Sequence, residues 1–132
     1  MNNINKILNT LSKKNNLFGV FRFFECISSM NYEEFNINKP NKYEKKILYR
    51  NKDYELVLIN WKKGAVTKYH NHPKNGCVLK VLNGKLNEID NSNSVILNKN
   101  DVTFKLHNQY HKIVALENTY SLHYYSPPNF YD

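Results

Sequence analysis

From about residue 45 onward the chain is a series of short strand-like runs, each closed by turn residues, and that rhythm constrains the fold more than any other feature. Tyr54 to Trp61 is rich in β-branched and aromatic residues. Gly64 marks a turn, and Val66 to His72 reads as the next strand. Cys77 to Leu82 and Lys85 to Ile89 flank Asn83-Gly84, a strong two-residue hairpin signal that predicts pairing of these two strands. Asp90-Asn91-Ser92-Asn93-Ser94 is turn chemistry, and Val95 to Leu97 and Val102 to Phe104 flank another turn at Asn98 to Asp101. His111 to Leu116 and Thr119 to Ser126 complete the set, and Pro127-Pro128 ends the last strand. Many short strands at this spacing predict a mainly β protein, a small antiparallel barrel or sandwich.

The N-terminal part reads differently. Ile4, Ile7, Leu8 and Leu11 form one apolar stripe at helical spacing. Leu17 to Ile27 is an aromatic-rich run consistent with a buried helix, and Asn31 with Tyr32-Glu33-Glu34-Phe35 marks a short helix start before the break at Pro40. The expectation is one domain over residues 1–132, with a helical N-terminal cap over 1–44 and a β-barrel over 45–128. A chain of 132 residues that is 41% hydrophobic can supply one core.

The net charge is +8. That balance raises the question of nucleic acid, but the lysines are scattered along the chain with no dense basic-aromatic run, so no nucleic-acid partner is expected. No stretch approaches the roughly 20 apolar residues of a membrane span, and Met1 to Lys6 lacks the apolar core of a signal peptide. A soluble, cytoplasmic monomer is expected. In that compartment a disulfide between Cys26 and Cys77 is disfavoured, and Cys26, among apolar residues, reads as an inert buried thiol.

His70 and His72 stand at i and i+2, so on an extended strand both imidazoles leave one face and can grip one metal ion. A third ligand is needed, and His107, His111 and His123 are candidates. His111, on a predicted strand, is preferred to His107, which adjoins turn-like Asn108. Three neutral imidazoles suit zinc or ferrous iron, and no Asp or Glu stands where a two-histidine, one-carboxylate iron site would need it. On the last strand Ser121, His123 and Tyr125 project from one face, either as an ordinary strand face or as a hydrogen-bonded row ending in a phenol aimed at the metal.

These residues resemble the cupins, and among them the cysteine dioxygenases. An ordinary cupin follows His-x-His with a glutamate ligand; here Cys77 takes that place. The family's His-x-His, four residues, Cys pattern matches His70, His72 and Cys77, and its third ligand falls on His111. Its Ser-Leu-His-x-Tyr-Ser-Pro-Pro matches Ser121 to Pro128, and Arg50-Asn51 and Trp61 match an Arg-Asn and a Trp of the family. Leu48 stands where the family has a tyrosine two residues before its arginine, with Tyr49 shifted by one. The interval from Arg50 to Trp61 is shorter than the family's.

The resemblance implies a cupin barrel (a jelly roll) holding one Fe(II) per chain on His70, His72 and His111. It implies a dioxygenase that uses O2 to oxidise L-cysteine to cysteine sulfinic acid, a step of cysteine catabolism. Arg50, with Tyr49 and Trp61, would bind the substrate, Arg50 taking its carboxylate. Tyr125 would face the iron, oriented by His123 with Ser121 behind it, and Cys77 could join Tyr125 through a thioether. Another small thiol, 3-mercaptopropionate or cysteamine, is the alternative substrate; the presence of Cys77 and Arg50 favours cysteine. A cupin that binds metal without turnover is the alternative of a different class.

Overall fold

The structure is a computed structural model that describes residues 43–131. The helices expected before residue 43, and Cys26 with them, lie outside the described residues. Eight strands follow one another: β1 (Tyr43–Arg50), β2 (Glu55–Trp61), β3 (Cys77–Asn83), β4 (Leu86–Ile89), β5 (Ser94–Leu97), β6 (Val102–Lys105), β7 (Lys112–Ala115) and β8 (Thr119–Tyr125). Among the described residues there is no helix, so none is long and apolar enough to cross a membrane.

β1 begins inside the span expected to be helical. Its sequence, Tyr-Glu-Lys-Lys-Ile-Leu-Tyr-Arg, shows no clean alternation because its side chains are only partly covered; among the described residues it is the outermost strand of its sheet.

The strands form two antiparallel sheets, one ordered β1-β2-β8-β3-β6 and the other β5-β4-β7. β8 lies at the centre of the larger sheet, hydrogen-bonded to β2 on one side and to β3 on the other. The expected β3–β4 hairpin does not form. Both edges of β3 are already taken, by β8 and β6, and β4 pairs with β5 and β7 instead. Asn83-Gly84 is thus a crossing between sheets. Gly84 has φ 101°, and a side chain there would run into Thr119 Oγ1 and come within 2.6 Å of the Asn118 carbonyl. Only glycine allows this approach.

Residues 66–72 run beside β7 without forming the expected strand. His70 and His111 exchange both backbone hydrogen bonds, at 2.9 and 3.0 Å, as an isolated bridge. Further along, the Ile113 amide donates to Thr67 Oγ1 at 3.0 Å rather than to a backbone carbonyl, which interrupts the ladder.

The two sheets share one core. Val57, Ile59, Trp61, Cys77, Leu79, Val81 and Tyr125 of the larger sheet pack with Leu86, Leu97, Ile113 and Ala115 of the smaller. Strand alternation puts these inward side chains in cross-strand rows, among them Glu55–Tyr125–Cys77 and Val57–His123–Leu79. The rows place the residues of the site.

Candidate metal centre

A cavity of about 280 Å³ opens into the core on the inner face of the larger sheet. His70, His72 and His111 line it, with Cys77, Tyr125 and Lys45 among their neighbours. Trp61 and His123 also line it; Arg50 and Tyr49 do not.

The three imidazoles come from a segment with no strand of its own and from the residue just before β7, tied together by the His70–His111 backbone bridge. Each ring has its Nδ1 engaged. His70 Nδ1 lies 2.8 Å from the Lys68 carbonyl, His72 Nδ1 lies 2.8 Å from the Gln109 carbonyl, and His111 Nδ1 lies 2.9 Å from Glu88 Oε2. Carbonyl and carboxylate oxygens only accept, so each Nδ1 carries the proton and each Nε2 is left as a bare lone pair. Those Nε2 atoms face one another: His111 Nε2 is 3.0 Å from His72 Nε2 and 3.0 Å from His70 Nε2. Three acceptors cannot hydrogen-bond among themselves. A cation is the group that satisfies them, and the residues therefore fit a metal ion.

Burial disfavours protonating His70 and His72. It lowers the His70 pKa below its ordinary value, and lowers that of His72 to about 3, with the neighbouring His111 adding to the effect. His107, the alternative third ligand, is exposed, and its Nδ1 meets the His72 carbonyl instead of joining the cluster. His72 and His111 are buried and His70 is half-buried.

β8 contributes the second group. Trp61 Nε1 donates to Ser121 Oγ at 2.7 Å, Ser121 Oγ lies 2.7 Å from His123 Nε2, and His123 Nδ1 lies 3.0 Å from the Tyr125 hydroxyl. Proton counting gives this row a direction. Among the described residues the Ser121 hydroxyl has only His123 Nε2 to donate to, so His123 carries its proton on Nδ1 and donates it to the Tyr125 oxygen. The Tyr125 O–H proton is then turned away from His123, toward the cavity. Burial holds the His123 pKa well below its ordinary value, with the Lys45 charge next in effect, so the ring stays neutral. Burial raises the Tyr125 phenol, with Cys77 next in effect. Cys77 is directly opposite Tyr125 across the β3–β8 pair, which sets their Cβ atoms about 4.5–5.5 Å apart. Its thiol is free, and burial pushes its pKa up.

The residues expected to bind substrate separate. Trp61 lines the cavity and anchors Ser121. Arg50 is committed elsewhere: its Nε and Nη2 atoms lie 2.8 and 2.6 Å from Glu55 Oε2, and the other Glu55 oxygen takes the Asn129 amide at 3.1 Å. Tyr49 packs on Tyr54, ring centroids 5.8 Å apart. A register shift between Ile47 and Tyr49 sets Arg50 opposite Glu55, in the row that holds Tyr125 and Cys77, and Tyr49 opposite Leu56 on the other face. The cavity-facing residues of β1 are Tyr43 and Lys45, opposite Trp61 and Ile59. Counting inward positions back from Trp61 through the pairing finds Lys45, but only once β1 is recognised as a strand.

The Tyr131 ring closes one side of the cavity. It lies 5.7 Å from the His70 ring and 5.0 Å from the Tyr125 ring, with the Lys45 ammonium 4.8 Å from its centroid and its hydroxyl donating to the Asn71 carbonyl at 2.7 Å. The sequence offered no signal for this residue, which follows the last strand.

Known proteins add two findings. Several solved cupin-type structures share the fold. The KdgF protein of a Halomonas species has a TM-score of 0.62 at 24% identity, covering 70% of this chain and 85% of that one. An RmlC-like cupin from Shewanella frigidimarina has a TM-score of 0.64 at 21% identity, covering 72% and 86%. A cupin superfamily protein from Desulfitobacterium hafniense has a TM-score of 0.67 at 12% identity, covering 74% and 88%. At these identities the likeness concerns the fold alone. No curated protein matches the chain. The family profile for cysteine dioxygenase type I matches residues 19–131, a span that includes every strand and all three clustered histidines. With most of its length accounted for in this way, the chain belongs to the cysteine dioxygenase type I family.

Proposed function

We propose that the protein is an Fe(II)-dependent dioxygenase that converts L-cysteine and O2 to cysteine sulfinic acid. The observation that carries this reading is the convergence of three unprotonated Nε2 atoms on one point of a cavity in a chain of this family. Three histidine nitrogens facing a cavity, with no fourth protein ligand in the cluster among the described residues, would leave positions open on an ion held there, which supports a catalytic metal over a closed structural zinc site.

The reaction adds both oxygen atoms of one O2 to one sulfur. The sulfur gives up four electrons, and no other reductant is needed. Ferrous iron, when bound, supplies the O2 chemistry and an attachment point for the thiolate. The chain's own residues do the rest. The neutral histidines hold the metal without adding negative charge, so a thiolate is the anion the site calls for. Tyr125, oriented by His123, presents its hydroxyl proton to the cavity beside the reacting sulfur. The cross-strand pairing of Cys77 with Tyr125 supports a thioether between them, which would form with loss of two hydrogens to O2.

The substrate carboxylate is assigned to Lys45 rather than Arg50. Tyr43 stands two residues before Lys45, the spacing that the resemblance gives the family's tyrosine and arginine, and both side chains line the cavity. An ammonium is a compact point charge without arginine's planar fork, so it discriminates less by geometry. That difference supports a second reading, 3-mercaptopropionate as substrate, which keeps the carboxylate and drops the amine.

The test is anaerobic Fe(II) loading followed by oxygen uptake with cysteine, 3-mercaptopropionate and cysteamine. Cysteine is expected to give the highest kcat/KM, and Lys45→Met to raise KM for both carboxylate thiols about tenfold or more, as loss of a charged hydrogen bond does. Equal turnover of cysteamine would remove the carboxylate assignment. No oxygen uptake with any thiol by the iron-loaded protein would remove the dioxygenase reading.

A further inference from the structure

Glu88 is a charged residue on the inward face of β4 that the reaction above leaves unused. Its side chain is 6% exposed, and its two oxygens have different partners. Oε2 accepts the His111 Nδ1 proton at 2.9 Å, and Oε1 lies 3.1 Å from Lys105 Nζ, on a side chain itself only 14% exposed. Lys105 belongs to β6 in the other sheet, where it is opposite Cys77. The carboxylate therefore spans the core from the smaller sheet to the larger one. The Lys105 ammonium and the His111 N–H, one on each oxygen, both favour the carboxylate form of Glu88.

The three clustered histidines differ in this respect. His70 and His72 give their Nδ1 protons to main-chain carbonyls, whereas His111 gives its own to a charged side chain. A carboxylate behind an imidazole fixes the tautomer and the ring plane and makes the far nitrogen a stronger donor. Alternation marks Glu88 in the sequence as well, since it is in phase with buried Leu86.

We infer that Glu88 is a positioning residue for the metal: it locks His111 with Nε2 facing the ion and strengthens it as a ligand, while Lys105 pins the carboxylate from the opposite sheet. The inference rests on the metal-site reading above and names a residue that the resemblance does not.

The test titrates Co(II) into the metal-stripped full chain and follows visible absorption and heat of binding. The wild type is expected to bind about one ion per chain. Glu88→Gln is expected to bind about 10- to 100-fold more weakly, with Glu88→Asp recovering part of the loss. Glu88→Gln also leaves Lys105 partly buried without its carboxylate. The double variant Glu88→Gln/Lys105→Met removes that burden: it is expected to regain thermal stability but keep the weakened Co(II) affinity. Wild-type affinity in Glu88→Gln, or its return in the double variant, would overturn the inference and reduce Glu88 to an ion-pair partner. If the single variant does not fold, the double variant carries the same comparison. A wild type that binds neither Co(II) nor Fe(II) would instead overturn the metal-site reading itself.

Discussion

His72 and His123 are both almost fully buried, and burial lowers the pKa of both, yet they are different chemical objects. His123 has a partner at each ring nitrogen, Ser121 on one side and Tyr125 on the other. His72 has a carbonyl at Nδ1 and, at Nε2, only another imidazole whose own proton is already committed. Burial therefore does not distinguish a ligand from a structural histidine. Counting protons does: one ring closes a hydrogen-bonded row, and the other leaves a lone pair that needs a cation.

The largest effects should come from exchanging those two environments. His72→Ala is expected to lose stoichiometric iron, seen by metal analysis, with activity falling further than the roughly 10- to 100-fold typical of residues behind a ligand. His123→Phe is expected to keep the iron and lose activity by about that 10- to 100-fold, because Tyr125 is no longer oriented. If His123→Phe loses iron as completely as His72→Ala, the two regions are not separable and the comparison fails.

Acid should act on both regions. The unfolded chain binds protons at these histidines near pH 6.5, whereas the folded chain resists them to lower pH, toward about 3 for His72. The unfolded state thus holds more protons over that window. Stability is intact above pH 6.5 and falls as pH drops below it, by up to about 1.4 kcal/mol per pH unit for each such group. Melting of the metal-free protein at pH 7.5 and 5.0 measures this, and His123→Phe should make the slope shallower. Iron should leave over the same range, because protons compete for the nitrogens. A flat profile to pH 5 would contradict both statements.

The smallest effect separates Arg50 from Lys45 on β1. Arg50→Gln leaves Glu55, 3% exposed, without its guanidinium partner, at a cost of roughly 1–3 kcal/mol since Arg50 itself is partly exposed. Denaturant unfolding should register that loss while the KM for thiols stays at the wild-type value. A large rise in KM on Arg50→Gln would return the carboxylate to Arg50.

Much of the architecture is legible where local chemistry and fold agree. β2, β3 and β8 show as apolar runs because both their faces or their inner face are buried, and the His-x-His spacing survives even though residues 66–72 are not a regular strand. β1 is not legible: a partly covered strand that contains Lys45 and Lys46 has no burial pattern to display. The Asn83-Gly84 signal predicts a turn, and a turn is there, but pairing depends on which edges of β3 are free, and that is decided by β8 and β6 from far along the chain. Arg50 and Lys45 show the same limit. Arginine is the better carboxylate partner by chemistry, while a one-residue shift in register, which no local pattern announces, decides which cross-strand row each cation of β1 joins. Glu88 could be found by its phase with Leu86, but its partners lie on two other strands.

The place of β8 has a consequence for assembly. The strand that bears Ser121, His123 and Tyr125 is inserted between β2 and β3, segments made some forty to sixty residues earlier, so the larger sheet cannot close until it arrives. Contacts so distant along the chain slow folding. They also mean that the side of the cavity bearing Tyr125 and the structural keystone are formed in one event: a chain that has not placed its phenol has not yet built its wall.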